Sequence, residues 1–233
     1  MYHSITFGDK NTWTDWGLIP TSRPVFNPPK IKSKYVDIPG SDGLLDLSTL
    51  LAGRPLFANR EGSLEFVVAD QTKNWAVLYS DIANYLHGKS MRAYPEDDPD
   101  YYYEGRFTLN AWKSNQTFST ITIDYSVAPY KTSVYGTLDE WLWDPFSFED
   151  GIIQVLEDYP IDGETSILII GYPRKSAPMF AASASMSLVF KGKTYPVPEG
   201  VSFFPELLLD EGENTLVVDG HGTLTIDYRG GSL

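Results

Sequence analysis

His3, His87 and His221 are the three histidines of this chain, and there is no cysteine. Together these residues bound the acid–base and metal chemistry that the sequence offers near neutral pH. Without cysteine, thiolate zinc sites, cysteine nucleophiles and disulfides are excluded together. His221 sits in a Gly-His-Gly turn two residues after Asp219, so a Ser-His-Asp arrangement can be drawn on paper. No G-x-S-x-G elbow accompanies it. His87 closes a helical pattern, where a cation suits the helix dipole, and His3 lies near the first residue. The run Glu96-Asp97-Asp98-Pro99-Asp100 has the hard oxygens a calcium ion wants. It lacks the alternating Asp-x-Asp-x-Asp-Gly spacing that wraps a loop around one ion, and reads as a Pro-interrupted, exposed turn. The cluster Trp141, Trp143 and Phe146 to Phe148, beside acidic residues, suits either sugar stacking or a sandwich core. The sequence therefore assigns no catalytic residue, cofactor or metal ligand, and keeps Trp141 and Trp143 as candidate sugar contacts.

A different signal comes from residues 11–68. Pro20, Pro24, Pro28 and Pro29 fix φ and remove backbone donors, so this stretch reads as extended and unable to form a ladder at those points. Arg23, Lys30, Lys32 and Lys34 place four cations there, with no acidic residue between Trp16 and Tyr35. IPGSDG (Ile38 to Gly43) and LAGRP (Leu51 to Pro55) supply turn chemistry around the short apolar piece Leu44 to Leu51. A long Pro-marked loop on a β domain usually carries function. With nothing catalytic on it, the function is contact, and Arg23, Lys30, Lys32, Lys34, Arg54 and Arg60 are the candidate interface residues.

The elements that must carry these residues are mostly strands. Alternation predicts strands over Ser4–Phe7, Lys34–Ile38, Ser63–Val68, Arg106–Lys113 and Phe118–Tyr125. The last two form a hairpin in which Phe107, Leu109 and Ala111 share a face. One helix is predicted over Lys73–His87, with a core-facing stripe of Trp75, Leu78, Tyr79, Ile82 and Leu86. Thr72 or Asp70 would cap it and Gly88 would end it. Patterning breaks at residues 126–137, which places a boundary between a domain over 1–130 and one over 131–233. The second region shows short strands with turn signals every ten residues or so, the mark of a β-sandwich. They are expected over Gly136–Trp143, Ile152–Val155, Thr165–Ile170, Ser185–Phe190, Lys193–Pro196, Gly200–Phe204, Gly212–Asp219 and Gly222–Tyr228.

Composition agrees. The 233 residues are 42% hydrophobic and 14% aromatic, which suits a folded, β-rich protein able to bury a core. The formal charge of −13 argues against a phosphate-binding surface, so no tight nucleic-acid binding is expected. The first 130 residues carry 12 basic and 15 acidic side chains and the remainder 6 and 16. That asymmetry suits complementary contacts between copies or simply a solubilising acidic surface. No apolar run is long enough to cross a bilayer, and the opening MYHSITFGDK is not a signal peptide, so no membrane partner is expected.

Many weak matches in one order carry a resemblance. They are Trp13, Trp16, Leu18, Pro20, Ser22, Arg23 and Pro24, then Tyr35 to Ser48, Gly53 to Pro55 and Asn59 to Ser63. In this order the sequence resembles the distal tail proteins of long, non-contractile-tailed phages over its first 130 residues. Trp141 to Gly151 and the closing TIDYRGGSL echo that family's C-terminal half. The resemblance implies a mainly β protein, with a barrel- or sandwich-like ring-forming domain bearing one helix, then a galectin-like β-sandwich. It implies a virion structural protein at the tail tip, assembled in the host cytoplasm and not an enzyme. Six copies would form a ring between the tail tube protein and a tail-associated adsorption protein, leaving a channel for DNA. The acidic turn Glu96 to Asp100 is the candidate lining of that channel. The alternative is a carbohydrate-binding β-sandwich module for host-surface recognition.

Overall fold

The computed structural model describes residues 2–50, 52–69, 74–114, 119–138 and 156–233. In chain order the elements are β1 (Ile5–Phe7), β2 (Lys10–Asn11), β3 (Leu18–Pro20), β4 (Tyr35–Asp37), β5 (Leu44–Asp46), β6 (Arg60–Val68), α1 (Trp75–Leu86), β7 (Lys89–Pro95), β8 (Tyr101–Ser114) and β9 (Ser119–Val127). There follow β10 (Lys131–Gly136), β11 (Tyr159–Gly171), β12 (Met179–Ala182), β13 (Met186–Phe190), β14 (Lys193–Val197), β15 (Gly200–Phe203), β16 (Gly212–Asp227) and β17 (Arg229–Ser232). The protein is mainly β, with one helix among the described residues. It divides into two compact units, Met1–Lys131 with Leu233, and Thr132–Ser232.

In the first unit the strand path is β2-β1-β7-β8-β9-β6-β3. Every pairing along it is antiparallel. β6 alternates as its sequence predicts: Leu64, Phe66 and Val68 are buried while Glu61, Ser63 and Glu65 face out. β9 buries Ile121, Ile123, Tyr125 and Val127 on the same side. Against this side lies α1, whose Leu78, Ile82 and Leu86 are buried at helical spacing. The helix starts two residues later than predicted. Asn74 caps it, its Oδ1 accepting from the Ala76 and Val77 backbone amides. Thr72 and Asp70 lie outside the described residues. Gly88 follows the helix at φ 75°, in the expected C′ position.

Two expectations are corrected here. Pro20 does sit in a ladder, opposite Phe66, because β3 is the outermost strand and its far side needs no donor. The β8–β9 alternation does not run on past Leu109: the register shifts between Leu109 and Trp112. That bulge turns Trp112 toward the helix, where it stacks on Trp75 at 5.5 Å and meets Tyr79 at 5.4 Å. Phe118 lies outside the described residues.

The second unit is organised by β16. β11 pairs with it along thirteen positions, from Tyr159↔Leu224 to Gly171↔Gly212. β13 and β12 share its other edge in succession, extending the order to β14-β13-β16-β12-β15. β10 pairs with β17. Ile167, Ile169, Phe180, Leu188, Leu216 and Ile226 are among the side chains of the single core these strands enclose. Two strands expected over residues 212–228 are one. The chain keeps its register with β11 through Gly220 and Gly222, and glycine is needed at 222 because a side chain there would sit 2.4 Å from Ser183 Oγ. Bare backbone lets Ser183 instead accept the Thr223 amide at 2.7 Å. The strand expected over Ile152–Val155 and most of that over Gly136–Trp143 fall outside the described residues.

Gly105 tests this packing. A Cβ there would lie 2.3 Å from the Ser126 carbonyl oxygen and 2.5 Å from Val127 Cα, both backbone atoms of β9. Gly105→Ala must prise β8 from β9 and is expected to destabilise the first unit by about 1–3 kcal/mol. A denaturant midpoint lowered with an unchanged slope would show it.

Candidate functional site

Between β3 and β6 the chain leaves the first unit and returns as an extended arm. The arm's root is fixed from within. Phe26 is buried and stacks on Tyr103 at 4.0 Å, with Tyr125 at 4.8 Å. The Asn27 backbone amide donates to the Tyr125 hydroxyl at 2.7 Å, and its side chain donates to the Glu61 carbonyl at 3.0 Å. Arg60 closes the base. Its guanidinium donates to the carbonyls of Pro129 at 2.8 Å and of Asn27 at 3.1 Å, and lies 5.4 Å from the Tyr103 ring centroid. At 4% exposure Arg60 is an internal bracket, not a surface cation. Arg54 is also turned inward, donating to the Tyr130 hydroxyl at 3.2 Å.

Beyond this base the arm is thin. Lys32 N donates to the Leu56 carbonyl and Ala58 N to the Lys30 carbonyl, around a lone bridge between Ile31 and Phe57. β4 and β5 then pair as Tyr35↔Asp46, Val36↔Leu45 and Asp37↔Leu44, a two-stranded sheet separate from the others. All residues from 31 to 46 are exposed. Val25 (64%), Ile31 (56%), Leu44 (62%) and Leu50 (71%) are open to solvent, as are Tyr35, Val36, Ile38, Leu45 and Leu56. An isolated two-stranded hairpin is marginal in water, and apolar side chains gathered on one projection mark a surface meant to be covered. Lys30, Lys32 and Lys34 are exposed on it, without an ionic partner among the described residues.

Arg23 behaves differently from those lysines. Its Nε donates to Asp97 Oδ2 at 3.0 Å, tying the start of the arm to the acidic turn. The same Asp97 is 2.7 Å from His3 Nδ1, Asp98 takes Lys131 Nζ at 2.7 Å, and Glu96 accepts from the Ser4 backbone amide at 2.8 Å. The turn is thus half-buried and internally paired rather than exposed, since its carboxylates need those donors once they leave water. Bonds to His3 and then Arg23 hold Asp97 below the ordinary carboxylate range, and the Ser4 amide does the same for Glu96. Burial pushes Asp100 the other way. Among the described residues no group of three or more His, Asp or Glu side chains is placed to hold a metal ion.

The remaining sequence candidates are not brought together. His221 pairs with Asp162 at 2.9 Å, its cross-strand neighbour between β11 and β16, and not with Asp219. Both are open to solvent, a surface hydrogen-bonded pair. His87 Nδ1 accepts the Leu109 amide at 3.2 Å. Trp141 and Trp143 lie outside the described residues. The features sequence reasoning missed are the exposed apolar side chains of the arm. Leu44, Leu45 and Leu50 follow turn signals at core-like density, and only their exposure on the arm reveals them as surface.

No family model matches the sequence, and no curated protein matches it. Among solved structures the chain is similar to the Dit protein of phage SPP1, whose crystal structure is described as a paradigm of the hub adsorption apparatus in phages infecting Gram-positive bacteria. The likeness has a TM-score of 0.66 and covers 99% of each chain at 13% sequence identity. At that identity it is a likeness of fold.

Asp97 gives the prediction for this region. Its folded-state pKa lies below the ordinary 3.8, so its contribution is present above that value and fades as pH falls through the lowered one. Asp97→Asn is expected to cost about 1 kcal/mol at neutral pH, a figure held down by solvent screening at the exposed Arg23 and His3. The gap between wild type and variant should close in acid. Thermal melts at pH 7 and pH 3, with amide exchange over residues 21–27, measure both.

Proposed function

We propose that this chain is a structural component of a phage tail tip, working by assembly and not as an enzyme. Copies join head to tail into a ring, six in number, between the tail tube protein and a tail-associated adsorption protein, around a channel for DNA. It is a virion protein assembled in the host cytoplasm. Its C-terminal unit takes the place of the galectin-like domain of the distal tail proteins.

The observation that carries this reading is the arm. An arm exposed over residues 31–46, with Leu44, Leu45 and Leu50 open to solvent, lacks a covering surface among the described residues. In a homo-oligomer a projecting arm and its receiving patch are different surfaces, the condition for head-to-tail rings. The end-to-end likeness of fold to SPP1 Dit supports the same reading. Nothing among the described residues favours the carbohydrate-binding alternative.

Two outcomes test it. Light scattering of the full chain should show a multimer, and Leu44→Asp with Leu45→Asp should shift it toward monomer by about tenfold or more in midpoint concentration, since two buried apolar contacts are lost. A full chain that stays monomeric at every concentration would refute assembly by itself. A conduit must also let a polyanion slide, and the chain carries a formal charge of −13. Anisotropy titration with double-stranded DNA at physiological salt should show no binding. Tight, salt-sensitive binding would contradict the channel role.

A further inference from the structure

The arm's lysines have a matching surface elsewhere on the same unit. Lys30, Lys32 and Lys34 occupy alternate positions of an extended chain, so they share one side of the arm. On the outward face of the sheet, β6 presents Glu61 and Glu65, and the adjacent β9 presents Asp124 opposite Ser63. None of these three carboxylates has a basic partner among the described residues; Asp124 only accepts from Asn110 at 2.7 Å. Arg106 of β8 shares the face, in line with Ser126, but its guanidinium donates to the Gly88 carbonyl. The arm's root runs on the opposite, core side of the sheet, where Phe26 and Asn27 meet Tyr125, so among the described residues the arm does not cover the acidic face.

The spacings agree. Lys30 to Lys34 and Glu61 to Glu65 each span four residues, which at about 3.3 Å per residue is about 13 Å in both stripes. Resting on the assembly reading above, we propose that the arm of one copy lies along the outward β6–β9 face of the next, its lysine side on Glu61, Glu65 and Asp124. The occupant of that face is therefore a second copy of this chain. The charges set the register of the contact and reject a misplaced arm, while the apolar side chains of β4 and β5 supply most of its strength. Exposed single ion pairs are weak; three in register are what make the surface selective.

A charge exchange tests this with the full-length chain. Lys30→Glu, Lys32→Glu and Lys34→Glu together form an arm variant, and Glu61→Lys, Glu65→Lys and Asp124→Lys a face variant. Circular dichroism and melting confirm that each is folded. Each alone is expected to raise the midpoint concentration for assembly about tenfold at low ionic strength, and much less at about 0.5 M salt, where charges are screened. Mixing the two variants in equal amounts should restore assembly, because each acidic arm then meets a basic face and each basic arm an acidic one. Disruption by the arm variant with no effect of the face variant would overturn the docking surface and leave the assembly reading standing. Full assembly by both variants, with loss only on Leu44→Asp and Leu45→Asp, would overturn the electrostatic register. Assembly unmoved by any of these changes would remove the arm from the contact altogether.

Discussion

The arm can exist only because its base is closed, and the group that closes it is the buried guanidinium of Arg60. Bringing the two ends of a loop of this length together costs about 3 kcal/mol or more of chain entropy. Arg60 stands at the returning end and holds the departing one through the Asn27 carbonyl, braced by the Pro129 carbonyl and the face of Tyr103. A buried cation is tolerable there because carbonyl dipoles and a ring face replace much of its water. A planar fork with fixed donors does this; a lysine would reach one carbonyl and leave the others unmet. Phe26 and the Tyr125 hydroxyl then lock the departing strand, so that everything beyond Asn27 projects from a rigid mount.

The acidic turn gives the mount its second fastening. Residues near the start of the chain, at the start of the arm and at the end of the first unit all reach Glu96, Asp97 and Asp98. Arg23 is thereby spent inside the subunit. The cations of the arm thus divide by position. Those at its ends, Arg23, Arg54 and Arg60, make bonds within the chain, and the three lysines between them are left for another surface. The chemistry of the side chains matches this division. Directional, multi-donor arginines serve as internal brackets, and flexible, strongly hydrated lysines face solvent.

What the sequence disclosed follows from which forces are local. The α1 stripe of Leu78, Ile82 and Leu86, the alternation of β6 and β9, and the turn at Gly88 depend on neighbours a few residues away, and each was readable. Local pattern offers Thr72 or Asp70 as the cap, whereas Asn74 makes the bonds, because several residues with capping chemistry stand close together. The bulge after Leu109 and the continuous passage of β16 through Gly220 and Gly222 depend on contacts with distant strands, and no local pattern announces them. The arm's cations were legible as a group, but not their split into brackets and free lysines, since only the fold brings Asp97 and Pro129 to Arg23 and Arg60.

The pairing of β11 with β16 also bears on how the protein is made. Its thirteen rungs join residues 159–171 to residues 212–224, with β12 to β15 lying between them in sequence. On a ribosome, β11 emerges long before its partner, and Ile167 and Ile169 must wait in water until β16 has been synthesised. The first unit has waits of its own, since Ile5 pairs with Pro95 and Arg60 with Val127, but all the strands along its sheet path lie within the first 131 residues and so precede β11. Its arm is therefore presented to other nascent chains on the same message while the second unit is still incomplete. The order of translation favours neighbours born together as the first to meet.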